Sequence, residues 1–119
     1  MSSIRARRGN TVLELDGNSL TVRIGEETLG PYSIDLRRQQ EVWHSLEGIS
    51  VPLPLGAGSA GVGGTGYAVE IRMGMTHIDV GWWMSPPSGW VPLAMIFESL
   101  AELAPREIRA RYDFGQGGE

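Results

Sequence analysis

His77 and Asp79, two positions apart in MTHIDVGWW, are the residues of this chain best suited to chemistry. A histidine beside a carboxylate can move protons near neutral pH, and with a second carboxylate it can hold a divalent metal. Glu70 and Arg72 precede them in GYAVEIRM, across Met73-Gly74-Met75. The chain has two histidines, His44 and His77, and no cysteine, so three-histidine and thiolate metal sites are excluded. Any metal would need Asp79 or Glu70 beside His77. The competing reading is a wet, charged strand face held by cross-strand pairs worth about 0.2–1 kcal/mol each. Nothing in the sequence supplies a nucleophile, an oxyanion hole or a closed pocket, so the second reading prevails and no catalytic residue, metal or cofactor is expected.

These residues need a frame, and the same stretch provides it. Tyr67, Val69 and Ile71 alternate with Ala68, Glu70 and Arg72, the two-residue period of a half-buried strand. Gly74 can take a positive φ, after which Ile78, Val80 and Trp82 alternate with His77, Asp79 and Gly81. The two strands form an antiparallel hairpin that puts Glu70, Arg72, His77 and Asp79 on one face. Trp83 breaks the alternation and adds an exposed indole on the side of His77 and Asp79. Ser85-Pro86-Pro87-Ser88-Gly89 ends the sheet, because consecutive prolines lack the amide hydrogens of a ladder. Trp90, Leu93, Ala94, Phe97, Leu100, Ala101 and Ala104 then follow helical spacing, with Pro92 in the first turn and Pro105 as the stop.

Upstream, Thr11 to Asp16 and Leu20 to Ile24 alternate around Asp16-Gly17-Asn18, a hairpin signal. Tyr32, Ile34 and Leu36 give a further short strand after turns at Glu26-Glu27 and Gly30-Pro31. Arg37 to Leu46 reads as a short helix or an irregular segment, and Val51 to Leu55 as a proline-broken edge strand. Residues 1–10, rich in arginine, read as a flexible arm, and 115–119 as a disordered tail. Glu107 to Phe114 alternates like a final edge strand, with a helical continuation or a loosely docked tail as alternatives. Gly56 to Gly66 is a low-complexity loop that contains GxGxxG spacing twice. A strand follows it where a nucleotide-binding loop would open a helix, so a phosphate role is rejected.

Composition narrows the function classes. All 10 basic residues are arginine, so Schiff-base and P-loop lysine chemistry are excluded. The net charge of −4 argues against nucleic acid as a partner. No apolar run approaches the roughly 18 residues of a membrane helix, and no apolar segment follows the basic N-terminus, so neither a membrane partner nor a secretory signal is expected. The expected location is the cytoplasm.

Of the four tryptophans, Trp82 and Trp90 fall in core patterns, whereas Trp43 and Trp83 have no assured buried position. Tryptophan beside arginine and carboxylates has the composition of a protein interface, and the alternative, equally open at this point, is that both are ordinary core residues in a different register.

The segment WWMSPPSGWVPL, Trp82 to Leu93, preceded by the GYAVEIR strand, resembles a pattern in small bacterial proteins where WW-x-x-PP-x-GW-x-x-L joins a strand to a closing helix. That resemblance implies a bacterial cytoplasmic domain in which Trp82, Pro86, Pro87, Gly89 and Trp90 are scaffold. By size, acidity and architecture the chain is also similar to the immunity proteins that neutralise bacterial toxins.

The expected fold is a single α+β domain: an antiparallel sheet of five to six strands with one amphipathic helix, Trp90 to Ala104, across one face. The expected function is non-enzymatic binding of another protein, a toxin or effector, through Trp83, His77, Asp79, Glu70, Arg72 and Trp43. One rival is a small ligand-binding domain or enzyme using His77 with Asp79 and Glu70. Another is a homo-oligomeric subunit, in which the open sheet face or the 107–114 edge pairs with a second copy.

Overall fold

Four times among the described residues the chain reverses through two residues of which the first is glycine: Gly9-Asn10, Gly17-Asn18, Gly25-Glu26 and Gly74-Met75. Each of these glycines has φ between 59° and 62°, which suits the right-handed twist of the strands it joins. The computed structural model describes residues 2–52 and 66–112. Within them lie β1 (Ser2–Arg8), β2 (Thr11–Asp16), β3 (Ser19–Ile24), β4 (Glu27–Ser33), α1 (Leu36–Leu46), β5 (Gly66–Met73), β6 (Thr76–Trp83), α2 (Val91–Ala101) and α3 (Arg106–Tyr112). The strands form one antiparallel six-stranded sheet in the order β4-β3-β2-β1-β5-β6. This is the expected α+β architecture.

Strand alternation sorts the sheet into two unlike faces. Ile4 and Ala6 of β1, Leu13 and Leu15 of β2, Leu20 and Val22 of β3, and Val69 of β5 share one face and are buried. Against them pack Leu93, Ile96, Phe97, Leu100 and Ala101 of α2, with Val42 of α1 in the same cluster and Ile108 of α3 at its margin. α2 lies over β1, β2 and β5. No element among the described residues covers the opposite face.

Local chemistry sets the helix boundaries. The Asp35 carboxylate accepts from the backbone N–H of Arg38 at 2.9 Å and so caps α1. The Arg38 guanidinium then donates to the Glu102 carbonyl at 2.5 Å, tying α1 to the end of α2. At the strand-to-helix corner Met84 has a φ of 67°, and the Ser85 N–H closes a three-residue turn onto the Trp83 carbonyl at 2.8 Å. The Trp90 indole N–H donates to the Pro52 carbonyl at 2.7 Å. A Cβ on Gly89 would lie 2.8 Å from the Pro52 ring, so glycine is required where residues 51–52 cross the corner.

Several expectations are corrected. Residues 2–8 are not a flexible arm but β1, hydrogen-bonded to β2 on one side and β5 on the other. Arg5 and Arg7 point to the uncovered face while Ile4 and Ala6 fill the core, so arginine density marks a wet face rather than a loose terminus. The strand expected at Tyr32 to Leu36 lies earlier, at Glu27–Ser33, with Gly30 and Pro31 inside it, and Leu36 opens α1. The ambiguous 37–46 segment is helical. Val51 and Pro52 are not in a strand. The large helix ends at Ala101, although Leu103 and Ala104 remain buried in the turn after it. Residues 107–112 belong to α3 and not to an edge strand, because Pro105 opens a helical turn whose carbonyl accepts from the N–H groups of Ile108 and Arg109. Gly66 opens β5; the rest of the glycine loop, residues 53–55 and the 115–119 tail lie outside the described residues.

Candidate functional site

The uncovered face carries the charged residues singled out above. Gly74-Met75 fixes the β5–β6 register, which sets Arg72 opposite His77 and Glu70 opposite Asp79. Because β1 pairs with β5 and β2, the same rows continue inward, Glu70 to Arg5 to Glu14, and Arg72 to Ser3 to Asp16. Glu70 is the hub. One of its oxygens accepts from His77 Nε2 at 2.8 Å and from the Arg72 guanidinium at 3.1 Å, while the other lies 3.8 Å from Arg5. Arg5 also reaches Glu14 at 3.8 Å. Since the carboxylate only accepts, His77 carries its proton on Nε2 in this bond.

Partial burial pushes the Glu70 pKa up. The hydrogen bonds from His77 and Arg72 and the charges of Arg72 and Arg5 together pull harder, and the net shift is below its ordinary 4.5. Glu70 is therefore held ionised and is unsuited to act as a general acid. Asp79 lies across the hairpin from it and makes no ion pair among the described residues. Donor atoms of Glu70, His77 and Asp79 lie within 4.8 Å of one another, close enough for one cation to meet all three.

Trp83 sits at the other end of β6, facing Gly66. A Cβ on Gly66 would stand 3.3 Å from the Trp83 ring and 3.6 Å from the Arg7 guanidinium, so the indole lies over the bare glycine with Arg7 beside it. Its ring is half-buried, and its indole N–H is shielded without a hydrogen-bond partner among the described residues. Trp43 is not brought to this face: it projects from α1, partly packed against the core. It borders a separate groove of about 620 Å³ along that helix. Trp82 stacks on Tyr67 at 5.6 Å and meets Trp90 edge-on at 6.1 Å, on the covered side.

The uncovered face is not flat. A depression of about 420 Å³ is bounded by Ser3, Arg5, Glu14, Asp16, Glu70 and Arg72. A smaller one of about 120 Å³ lies beyond Arg5 and Glu14, reaching Val12, Thr21 and Arg23. Arg5, Arg7, Glu14, Asp16 and Arg23 thus join the four hairpin residues. Sequence reading missed them because they lie on β1, β2 and β3, which reach the hairpin only through the β1–β5 pairing, and the signal was present: Gly9, Gly17 and Gly25 recur every eight residues, the period of a meander with two-residue turns.

A second set of polar contacts lies on the covered side. The Arg8 guanidinium stands 4.3 Å from the centre of the Phe97 ring, pairs with Glu98 and closes the rim of the core. It joins β1 to α2 and is structural.

No helix among the described residues is long and apolar enough to cross a membrane. Comparison with protein-family models and with curated proteins returns no match, so the face just described is the ground for a functional reading.

Proposed function

We propose that the uncovered sheet face is a protein-docking surface, and that the chain is a non-enzymatic binding module of the immunity or inhibitor kind, acting in the cytoplasm on a toxin or effector. The observation that carries this reading is the asymmetry of the sheet. The helices pack on one side, while the other is left open with Arg5, Arg7, Arg23 and Arg72 interleaved with Glu14, Asp16, Glu70 and Asp79. Arginine and tryptophan are the residues that interfaces concentrate, and a mosaic already held by cross-strand pairs loses little freedom on binding. The net charge of −4 favours approach of a basic partner, and the mosaic itself sets register once contact is made.

The test is co-purification from the native host of a stoichiometric protein, followed by affinity measurement with Arg23→Glu and Asp79→Arg. Both should weaken binding at least tenfold, whereas Glu41→Arg on α1 should not. Binding that survives both reversals, or that fails with the helix variant, assigns the partner to another surface.

The Glu70, His77 and Asp79 donor set supports a second reading, a small-ligand or metal-binding domain. It ranks lower because Arg5 and Arg72 already neutralise Glu70, and a cation would have to displace them. Calorimetric titration with Zn²⁺ distinguishes it: heat of binding that vanishes in His77→Ala would establish the site, and no heat in the parent chain would dismiss it.

A further inference from the structure

The sheet has two edges, β4 and β6, and they are built differently. β4 carries Pro31, which has no amide hydrogen to offer, and its pairing with β3 shifts register between Leu20 and Val22. Both features discourage a further strand. β6 has neither: THIDVGWW contains no proline, lysine or arginine, and its ladder with β5 runs unbroken from Gly66↔Trp83 to Met73↔Thr76. Among the described residues its outer backbone groups face no other strand.

We infer that β6 is the edge on which a second copy of this chain docks, antiparallel, about a two-fold axis at Ile78. The sequence of β6 selects that register. With the axis at Ile78, His77 of each copy faces Asp79 of the other, so two imidazole–carboxylate pairs, each a ring N–H donor opposite an acceptor, form at once, and Thr76 faces Val80. An axis at Asp79 would oppose two carboxylates, and one at His77 two imidazoles. An axis at Val80 would set Asp79 against Gly81 and leave it without a side-chain donor opposite. In the monomer Asp79 makes no ion pair among the described residues, and Ile78 is 45 % exposed on the helix side of the sheet. The dimer gives Asp79 a partner and covers Ile78 with its own twin.

The helix layer leaves room for this. α2 lies over β1, β2 and β5, and Met73, beside Ile78 on the same side, is 49 % exposed. A two-fold axis normal to the sheet keeps both helix layers on one side and joins the two six-stranded sheets into one. The charged faces of the two copies then form a single uncovered surface. This inference concerns the edge of the sheet and stands whether or not its face binds a partner.

Light scattering on the purified chain tests it. The mass should approach twice 12.9 kDa at high concentration and fall on dilution. Ile78→Lys should give the monomer mass with unchanged circular dichroism, since that side chain is half-exposed and a lysine blocks an edge. The chain has no cysteine, so Ile78→Cys should form an interchain disulfide on mild oxidation, while Asp79→Cys, displaced along the strand from its copy, should not. His77→Asp should weaken the dimer, and the double change His77→Asp with Asp79→His should restore it. A strict monomer at millimolar concentration overturns the inference. A dimer that survives Ile78→Lys, or that cross-links through position 79 rather than 78, does so equally.

Discussion

The two faces of β1 show how one strand answers to two kinds of physics. Ile4 and Ala6 have no exposed surface, whereas Arg5 and Arg7, one step away, stand on the open side. On the covered face the controlling quantity is apolar area removed from water, and a misfit there leaves a void that neighbours cannot fill. On the open face it is Coulomb energy in a screened medium, where each pair is weak and loss of one is absorbed by water and salt. The first face specifies the fold. The second is free to specify a partner.

That contrast breaks if substitutions on the two faces cost the same. The largest effect is expected from Leu13→Ala, which empties a fully buried position and should lower unfolding free energy by about 2–5 kcal/mol, read from denaturant melts. Glu70→Gln should act through pH. Because the Glu70 pKa is lowered in the folded chain, its contribution is present above its ordinary 4.5 and is lost as pH falls through the depressed value. The parent chain should therefore lose stability on acidification more steeply than Glu70→Gln, and parallel acid melts would remove the hub role from Glu70. Arg5→Ala should be smallest, about 0.2–1 kcal/mol, since each of its two carboxylate contacts is 3.8 Å long and the Arg5 side chain is half-exposed. A larger loss at Arg5 than at Leu13 would mean that the charged face holds the sheet together.

The same contrast explains what was legible in the sequence. Alternation and the Gly74 turn determine which face of the β5–β6 hairpin each residue takes, so the sequence alone groups Glu70, Arg72, His77 and Asp79. Arg5 and Glu14 could not, because their place depends on β1 lying between β2 and β5. The arginines of Ser2–Arg8 carry the signature of solvent, and a central strand with one wet face shows that signature on every second residue. In 107–112 the reverse error arose: so short a run fits a period of two as readily as one of 3.6, and Pro105 together with the docking of Ile108 decides for helix. Trp43 and Trp83 looked alike in sequence, and only the bare Gly66 opposite Trp83 and the core beneath Trp43 separate them.

The central place of β1 also bears on the order of assembly. Its pairing with β2 closes through two residues, but its pairing with β5 waits for everything between residues 8 and 66 to be made and gathered in. Local turns form quickly, and closing a long loop costs entropy before any contact rewards it. The meander from β1 to β4 should therefore condense first, with one side of its earliest strand still bare, and the β1–β5 ladder should form late. Phi-value analysis would show this as high values at Leu13 and low values at Val69. Until that ladder closes, a nascent chain displays a ready-made strand edge along Ser2–Arg8, and whatever attends its synthesis must keep that edge from the wrong neighbour.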